Sequence, residues 1–257
     1  MRATLTVLGS GTSMGVPTIG CSCAVCHSPD PHDRRTRPSV MLTYNGHHVL
    51  IDTTPDFRVQ ALREKIMRVD AVLYTHTHAD HILGIDDLRP LSYRHMPAKL
   101  PLYATPQNCD FLRSMFRYIF EQDYKFGGLP LVELKPIDGP VELFGARFEP
   151  VPVIHGEATI LGFRFGPAAY FTDHSDIPAD SLDKIRGLEI LFLDALRHKP
   201  HPTHSTVEQA LKIVDEVKPK RAFFTHICHD LPHEATNATL PPHVRLAYDG
   251  MKLEFEI

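Results

Sequence analysis

The segment Thr75-His76-Thr77-His78-Ala79-Asp80-His81 packs three imidazoles and a carboxylate into an H-x-H-x-D-H spacing. Imidazole nitrogens suit zinc, manganese or iron, and a carboxylate adds charge compensation and can bridge to a second ion. Residues two apart in an extended turn project the same way, so His76 and His78 can serve one ion while Asp80 and His81 diverge toward a neighbouring one. Three protein ligands per ion would leave room for a shared hydroxide. A polar surface loop has no need of this composition. So short a loop cannot surround two metals, and further ligands must come from distant positions. The candidates are His155 after the apolar run 151–154, Asp173 after 170–172 and His226 after 223–225. Singly each is weak, because a lone His after a strand is commonly hydrogen-bonded structure and a lone Asp there is commonly a turn or cap residue.

A second cluster, Cys21, Cys23 and Cys26, lies in the loop 20–27. The chain has five cysteines, an odd number, and this crowding does not suit separate disulfides between distant elements. Metal binding or reduced thiols fit better. Cys109 falls on a predicted helix and reads as core.

The elements that must hold these residues alternate between strand-like and helix-like from end to end, without linker, charge block or repeat. The chain therefore reads as a single α/β domain over 1–257. Strands are predicted at 4–8, 40–44, 48–51, 71–74, 147–154, 168–171, 190–193 and 221–224, all apolar or β-branched runs. Asn45-Gly46 between the second and third marks a hairpin turn that accepts positive φ at both central positions, and Asp52 ends the third strand. Thr105-Pro106 reads as an N-cap with proline in the first helical position, starting a helix toward Phe116. Ser205 and Glu208 read as a capping box for a helix with Val207, Ala210, Leu211 and Val214 at helical spacing. Gly187 is expected to end a short helix begun near Asp180. His76, His155, Asp173 and His226 then each fall one to three residues beyond a predicted strand end. Rigid elements present side chains to ligands at such loops, which argues for one shared site.

Composition agrees with a soluble globular protein. At 257 residues, 43% hydrophobic and 23% charged, the chain can bury a full core. A net charge of -4 offers no general attraction for nucleic acid or an anionic membrane. The N-terminus turns to Gly and Ser too early for a signal peptide, and no run of about 18 apolar residues is present, so a cytoplasmic location is expected.

With these residues the sequence resembles the metallo-β-lactamase superfamily, whose order is H-x-H-x-D-H, then His, then Asp, then His, with Asp52 matching an Asp after an early strand. The resemblance covers nearly the whole chain and implies a four-layer αβ/βα sandwich with a dinuclear site at its open edge. It implies that His76, His78 and His155 hold one metal, that Asp80, His81 and His226 hold the other, and that Asp173 bridges them. The run Gly9-Ser-Gly-Thr-Ser-x-Gly-Val-Pro17, leading into Gly20-Cys-x-Cys-x-x-Cys26, is similar to the branch containing the phosphoribosyl cyclic phosphate phosphodiesterase of phosphonate breakdown. That likeness implies a structural zinc on Cys21, Cys23, Cys26 and His229, a closed tetrahedral donor set. His27 or Cys228 are the alternative fourth ligands.

The implied reaction is hydrolysis of a small cyclic phosphodiester of the phosphoribosyl type, with two manganese or zinc ions generating hydroxide at neutral pH and stabilising an in-line displacement. Asp80 and His204 receive the catalytic roles. His204, in His201-Pro-Thr-His-Ser-Thr206, occupies the family position from which a histidine can protonate the leaving oxygen, although pairing with the helix start would also explain it. Arg89 either meets a substrate phosphate or pairs with Asp86 or Asp87. Other readings within the superfamily are a tRNA-processing endonuclease, whose basic inserted arm is not found here, and a thioester or lactam hydrolase. A cofactor-biosynthesis binding protein of the same fold is the non-enzymatic reading. Family analogy suggests a homodimer.

Overall fold

The computed structural model describes residues 1–121 and 128–257. The strands are β1 (Arg2–Gly9), β2 (Ser39–Tyr44), β3 (His47–Ile51), β4 (Ala71–Leu73), β5 (Leu100–Ala104), β6 (Val132–Pro136), β7 (Val141–Leu143), β8 (Ala146–His155), β9 (Ala158–Phe165), β10 (Ala168–Tyr170), β11 (Ile190–Asp194), β12 (Arg221–Thr225), β13 (Val244–Leu246) and β14 (Lys252–Glu256). They form two sheets of matching plan, ordered β14-β1-β2-β3-β4-β5-β6 and β13-β12-β11-β10-β9-β8-β7. In each, one half is antiparallel and the other, β3 to β6 or β10 to β13, is parallel.

Both faces of each sheet are covered, which is why the strands read as continuous apolar runs rather than strict alternation. Val49 and Ile51 of β3, Leu73 of β4, Phe163 and Phe165 of β9, Phe192 of β11 and Phe223 of β12 fill one core between the sheets. The intervening residues face outward. Leu50, Val72, Leu100 and Leu102 pack under the helices Phe57–Arg63 and Pro106–Met115. Leu191, Leu193, Ala222 and Phe224 pack under Val207–Val217 and Ala179–Lys184. The order is helices, sheet, sheet, helices. Burying one such Leu, Ile or Phe contributes about 1.5–3 kcal/mol, so this two-sided burial holds the strand ends rigidly in register.

The predicted strands are found within a residue or two of their expected limits, and Asn45 and Gly46 both have positive φ. The helix start at Thr105 is as expected, its side chain accepting from Asn108 N. The capping box is one residue later than predicted. Thr206 accepts from Gln209 N, and the Gln209 side chain answers the Thr206 N–H. Ser205 is committed elsewhere, its N–H donating to the His174 carbonyl. Gly187, at φ +69, lies beyond the helix Ala179–Lys184, which ends at Ile185 rather than at the glycine. Strand β9 went unpredicted because Gly162 interrupts its pattern. The glycine is required there, since a Cβ would lie 2.1 Å from Cδ1 of the buried Phe171. Among the described residues no helix is long and apolar enough to cross a membrane.

Candidate metal centre

The parallel strands of both sheets end at one edge, and the candidate residues sit there. His76 lies three residues past β4, and Asp80 and His81 lie on the short helix Ala79–Ile82. His155 is the last residue of β8, Asp173 follows β10 by three residues, and His226 directly follows β12. Asp52, Asp173 and His226 leave their strands with φ of 64°, 55° and 57°. This left-handed turn costs a non-glycine residue about 1–3 kcal/mol, and Asp and His tolerate it better than most.

Ligand atoms of His76, His78, His155 and Asp173 lie within 4.8 Å of one another, as do those of Asp80, His81, Asp173 and His226, so the two groups share Asp173. His81 Nε2 is 3.2 Å from Asp80 Oδ2 and 3.3 Å from Asp173 Oδ1, and His226 Nε2 is 3.3 Å from Asp173 Oδ2. The far sides of several rings are held by other groups. Asp52 Oδ2 accepts from His81 Nδ1 at 2.7 Å, His155 Nδ1 donates to the Thr203 carbonyl at 2.7 Å, and His76 Nδ1 is 3.0 Å from Thr75 Oγ1. Such partners fix the tautomer and leave Nε2 free for a metal.

Two observations test whether a cation fits. His76 Nε2, Asp80 Oδ2, His81 Nε2 and His226 Nε2 are buried without a hydrogen-bond partner, a costly arrangement unless an ion completes it. The charges also call for cations. Burial opposes a proton on His81, but Asp80, Asp173 and Asp52 outweigh it and hold its pKa well above the usual imidazole value. His76 is pushed well down, by burial first and then by His81. Four buried carboxylates, Asp52, Asp80, Asp173 and Asp194, converge on this edge. The residues present therefore suit two divalent ions.

His204 lies over the same edge, its ring 4.6 Å from that of His226 and 4.9 Å from that of His155. Its Nδ1 is 2.7 Å from Oδ2 of Asp194, so it pairs with a buried carboxylate rather than with the helix start. Burial raises the pKa of Asp194. Asp194 was missed in the sequence, although the signal was there: it ends the apolar strand β11 as Asp52 follows β3. Arg89 donates to the Gly128 carbonyl at 2.9 Å instead of forming an ion pair with Asp86 or Asp87, while Asp86 meets the Tyr118 hydroxyl.

The cysteine loop forms a separate group. His229 Nδ1 is 3.1 Å from Cys21 Sγ and 3.5 Å from both Cys23 Sγ and Cys26 Sγ. The N–H groups of Thr18, Cys23 and Cys26 point at these sulfurs, as suits thiolates. Three sulfurs and one imidazole nitrogen around one point fit a tetrahedral zinc. His27 instead meets the Cys23 carbonyl, and the buried Cys228 accepts from Asp230 N. Cys109 is buried under β5 and its neighbours.

Residues 47–227 match a beta-lactamase superfamily domain. A crystal structure of a new diphosphatase from the PhnP family is 61% identical, with a TM-score of 0.94 over 99% of this chain and 98% of that one. Zinc-bound PqqB from Methylobacterium extorquens shares the fold at 20% identity, with a TM-score of 0.79 over 97% of this chain and 99% of that chain. An octanoyltransferase of Porphyromonas gingivalis is 40% identical over 252 residues, which are 96% of this chain and 50% of that protein. The chain spans about half the length of the curated relatives it matches.

Proposed function

Since the chain belongs to the beta-lactamase superfamily and within it to the PhnP family, we propose that it is a metal-dependent phosphoric diester hydrolase acting on a small molecule. The finer reading is a cyclic phosphodiester of the phosphoribosyl type. The observation that carries the hydrolase reading is the set of partnerless, buried donor atoms lying beside the His204–Asp194 pair.

His76, His78 and His155 would hold one ion, Asp80, His81 and His226 the other, and Asp173 both. Manganese or zinc held there would supply Lewis-acid stabilisation of phosphoryl charge and lower the pKa of water. The chain's own residues do the rest. The Asp52 carboxylate holds the proton of His81 on Nδ1, and the Thr203 carbonyl does the same for His155. Asp194 accepts from Nδ1–H of His204, which makes Nε2 the atom that gives a proton to the leaving oxygen. Cys21, Cys23, Cys26 and His229 would hold a zinc that ties the N-terminal loop to the segment just after His226.

A second reading follows from the diphosphatase likeness: the scissile bond is a P–O–P anhydride, for which the same donors and the same proton source serve. The test is metal analysis of the purified protein together with hydrolysis of bis(p-nitrophenyl) phosphate, a ribose cyclic phosphate and a nucleoside diphosphate ester, with and without added manganese. Manganese-stimulated cleavage with the cyclic ester turned over fastest is expected. Preference for the diphosphate would replace the first reading by the second. No cleavage of any of them by the metal-loaded protein would refute both.

A further inference from the structure

We propose that His32, His233 and Glu234 form an additional, exchangeable site for a divalent transition metal, distinct from the two clusters above. Ligand atoms of the three residues lie within 4.8 Å of one another. Two imidazoles and a carboxylate are a donor set for zinc, nickel or copper rather than for magnesium or calcium.

The surroundings hold the rings as metal-binding histidines are held. His32 is the middle residue of the turn Pro31–Asp33, and Asp30 caps that turn by accepting from His32 N at 2.9 Å. The other face of this interaction matters more. Asp30 Oδ1 is also 3.5 Å from His32 Nδ1, so a carboxylate stands behind the ring and leaves Nε2 as the free donor atom. His233 is 4% exposed, and its Nδ1 has no hydrogen-bond partner, an arrangement that costs stability unless something completes it. The turn carrying His32 also fixes His233, because Asp33 Oδ1 accepts from His233 N at 2.8 Å. Tyr248 packs against both rings, with centroids 4.2 Å from His32 and 5.7 Å from His233. The two imidazole centroids are 4.6 Å apart and tilted by 45°.

The nearby cation Arg35 does not occupy the site. It is buried and engaged with Asp33 Oδ1 at 2.9 Å and with the carbonyls of Cys228 and Leu231. Asp30 and Glu234 add negative charge on the solvent side. Because Glu234 is exposed and three protein ligands leave coordination positions open, this ion would exchange with the medium, unlike one in the closed cysteine cluster. Its place is mechanical as well. It would join the turn after the cysteine loop to the helix His233–Asn237, seven residues beyond His226, and so clamp the outer end of the segment that carries His226 and His229.

The test uses the full-length protein with its other sites loaded, titrated with nickel and then with zinc, reading ions bound per chain and the thermal midpoint. Wild type is expected to take up one more ion per chain than either His32→Ala or Glu234→Gln, and only wild type should show a metal-dependent rise in midpoint. Both variants alter half-exposed or exposed side chains and leave the other clusters untouched, so their phosphodiesterase activity should equal that of wild type. Equal stoichiometry in wild type and both variants would overturn the proposal. If nickel uptake is lost in the variants while the midpoint of wild type does not move, the site stands and its role as a clamp is overturned.

Discussion

Asp52→Asn changes one atom, yet it should remove one ion from the centre. Asp52 is fully buried; its Oδ1 accepts from Thr75 N at 2.9 Å, and its Oδ2 accepts from Thr75 Oγ1 at 2.8 Å and His81 Nδ1 at 2.7 Å. An asparagine that keeps its oxygen toward Thr75 N turns its NH2 toward His81, and Nδ1 must then accept. The His81 proton moves to Nε2, the atom 3.2 Å from Asp80 Oδ2, and a protonated nitrogen cannot bind a metal. The flipped asparagine saves the tautomer but sets its NH2 against the buried Thr75 N–H, which costs about 1–3 kcal/mol. Either way the substitution weakens the metal support, and losses of this kind are about 10–100-fold in affinity, or about 1.4–2.8 kcal/mol. The assay is equilibrium dialysis against buffered free zinc or manganese, followed by metal analysis. The variant should lose the ion of Asp80, His81 and His226 at free concentrations where the ion of His76, His78 and His155 remains. Wild-type affinity for both ions in Asp52→Asn would refute this account of how His81 is held.

His204→Ala should keep its metals but lower turnover by about 10²-fold or more on esters with a poor leaving group. Its loss should be far smaller with p-nitrophenol as leaving group, and an equal loss on both would remove proton donation from the role of His204. In native protein treated with a strong chelator, three of the five cysteines (Cys21, Cys23 and Cys26) should become reactive to a thiol reagent, while Cys109 and Cys228 stay shielded until the chain is unfolded. Five reactive thiols before unfolding would mean that the zinc holds more than its own loop. Gly84→Ala should destabilise the protein by about 1–3 kcal/mol or more in urea denaturation, because a Cβ there would lie 2.0 Å from the Thr54 carbonyl oxygen. Thr53 and Gly84 are themselves hydrogen-bonded, so the backbone that carries Asp52 and the helix of His81 has little freedom to yield.

Legibility in the sequence followed how local each determinant is. The H-x-H-x-D-H run and the cysteine loop were plain because their donors are close in sequence and rare in combination. The apolar strands were plain because burial on both faces demands unbroken apolar runs. What stayed hidden depends on contacts from afar. Strand β9 has a mid-strand glycine only because Phe171 occupies the space, and β5 reads poorly because it carries Pro101. Ser205 and Thr206 are equally good caps by type, and only the hydrogen bond from Ser205 N to His174 decides between them.

The positions of Asp173, Asp194 and His226 show the same logic at the site. In the parallel ladder Tyr170 pairs with Phe192 and Phe192 with Phe223, while Asp194 pairs with Thr225. That register brings the ends of β10, β11 and β12 to one level, and the matching pairs Leu50 with Val72 and Ile51 with Leu73 do the same for β3 and β4. An acidic residue or histidine at such an end is ambiguous in a single strand, which is why Asp194 does not stand out in the sequence. It stops being ambiguous once the parallel halves of two sheets finish at the same edge, with Asp52, Asp173 and His226 all turned through a left-handed backbone conformation that the fold must compensate. The strain is spent where donor atoms converge, and it is the repetition of that one device across both sheets, more than any single motif, that makes the edge a site.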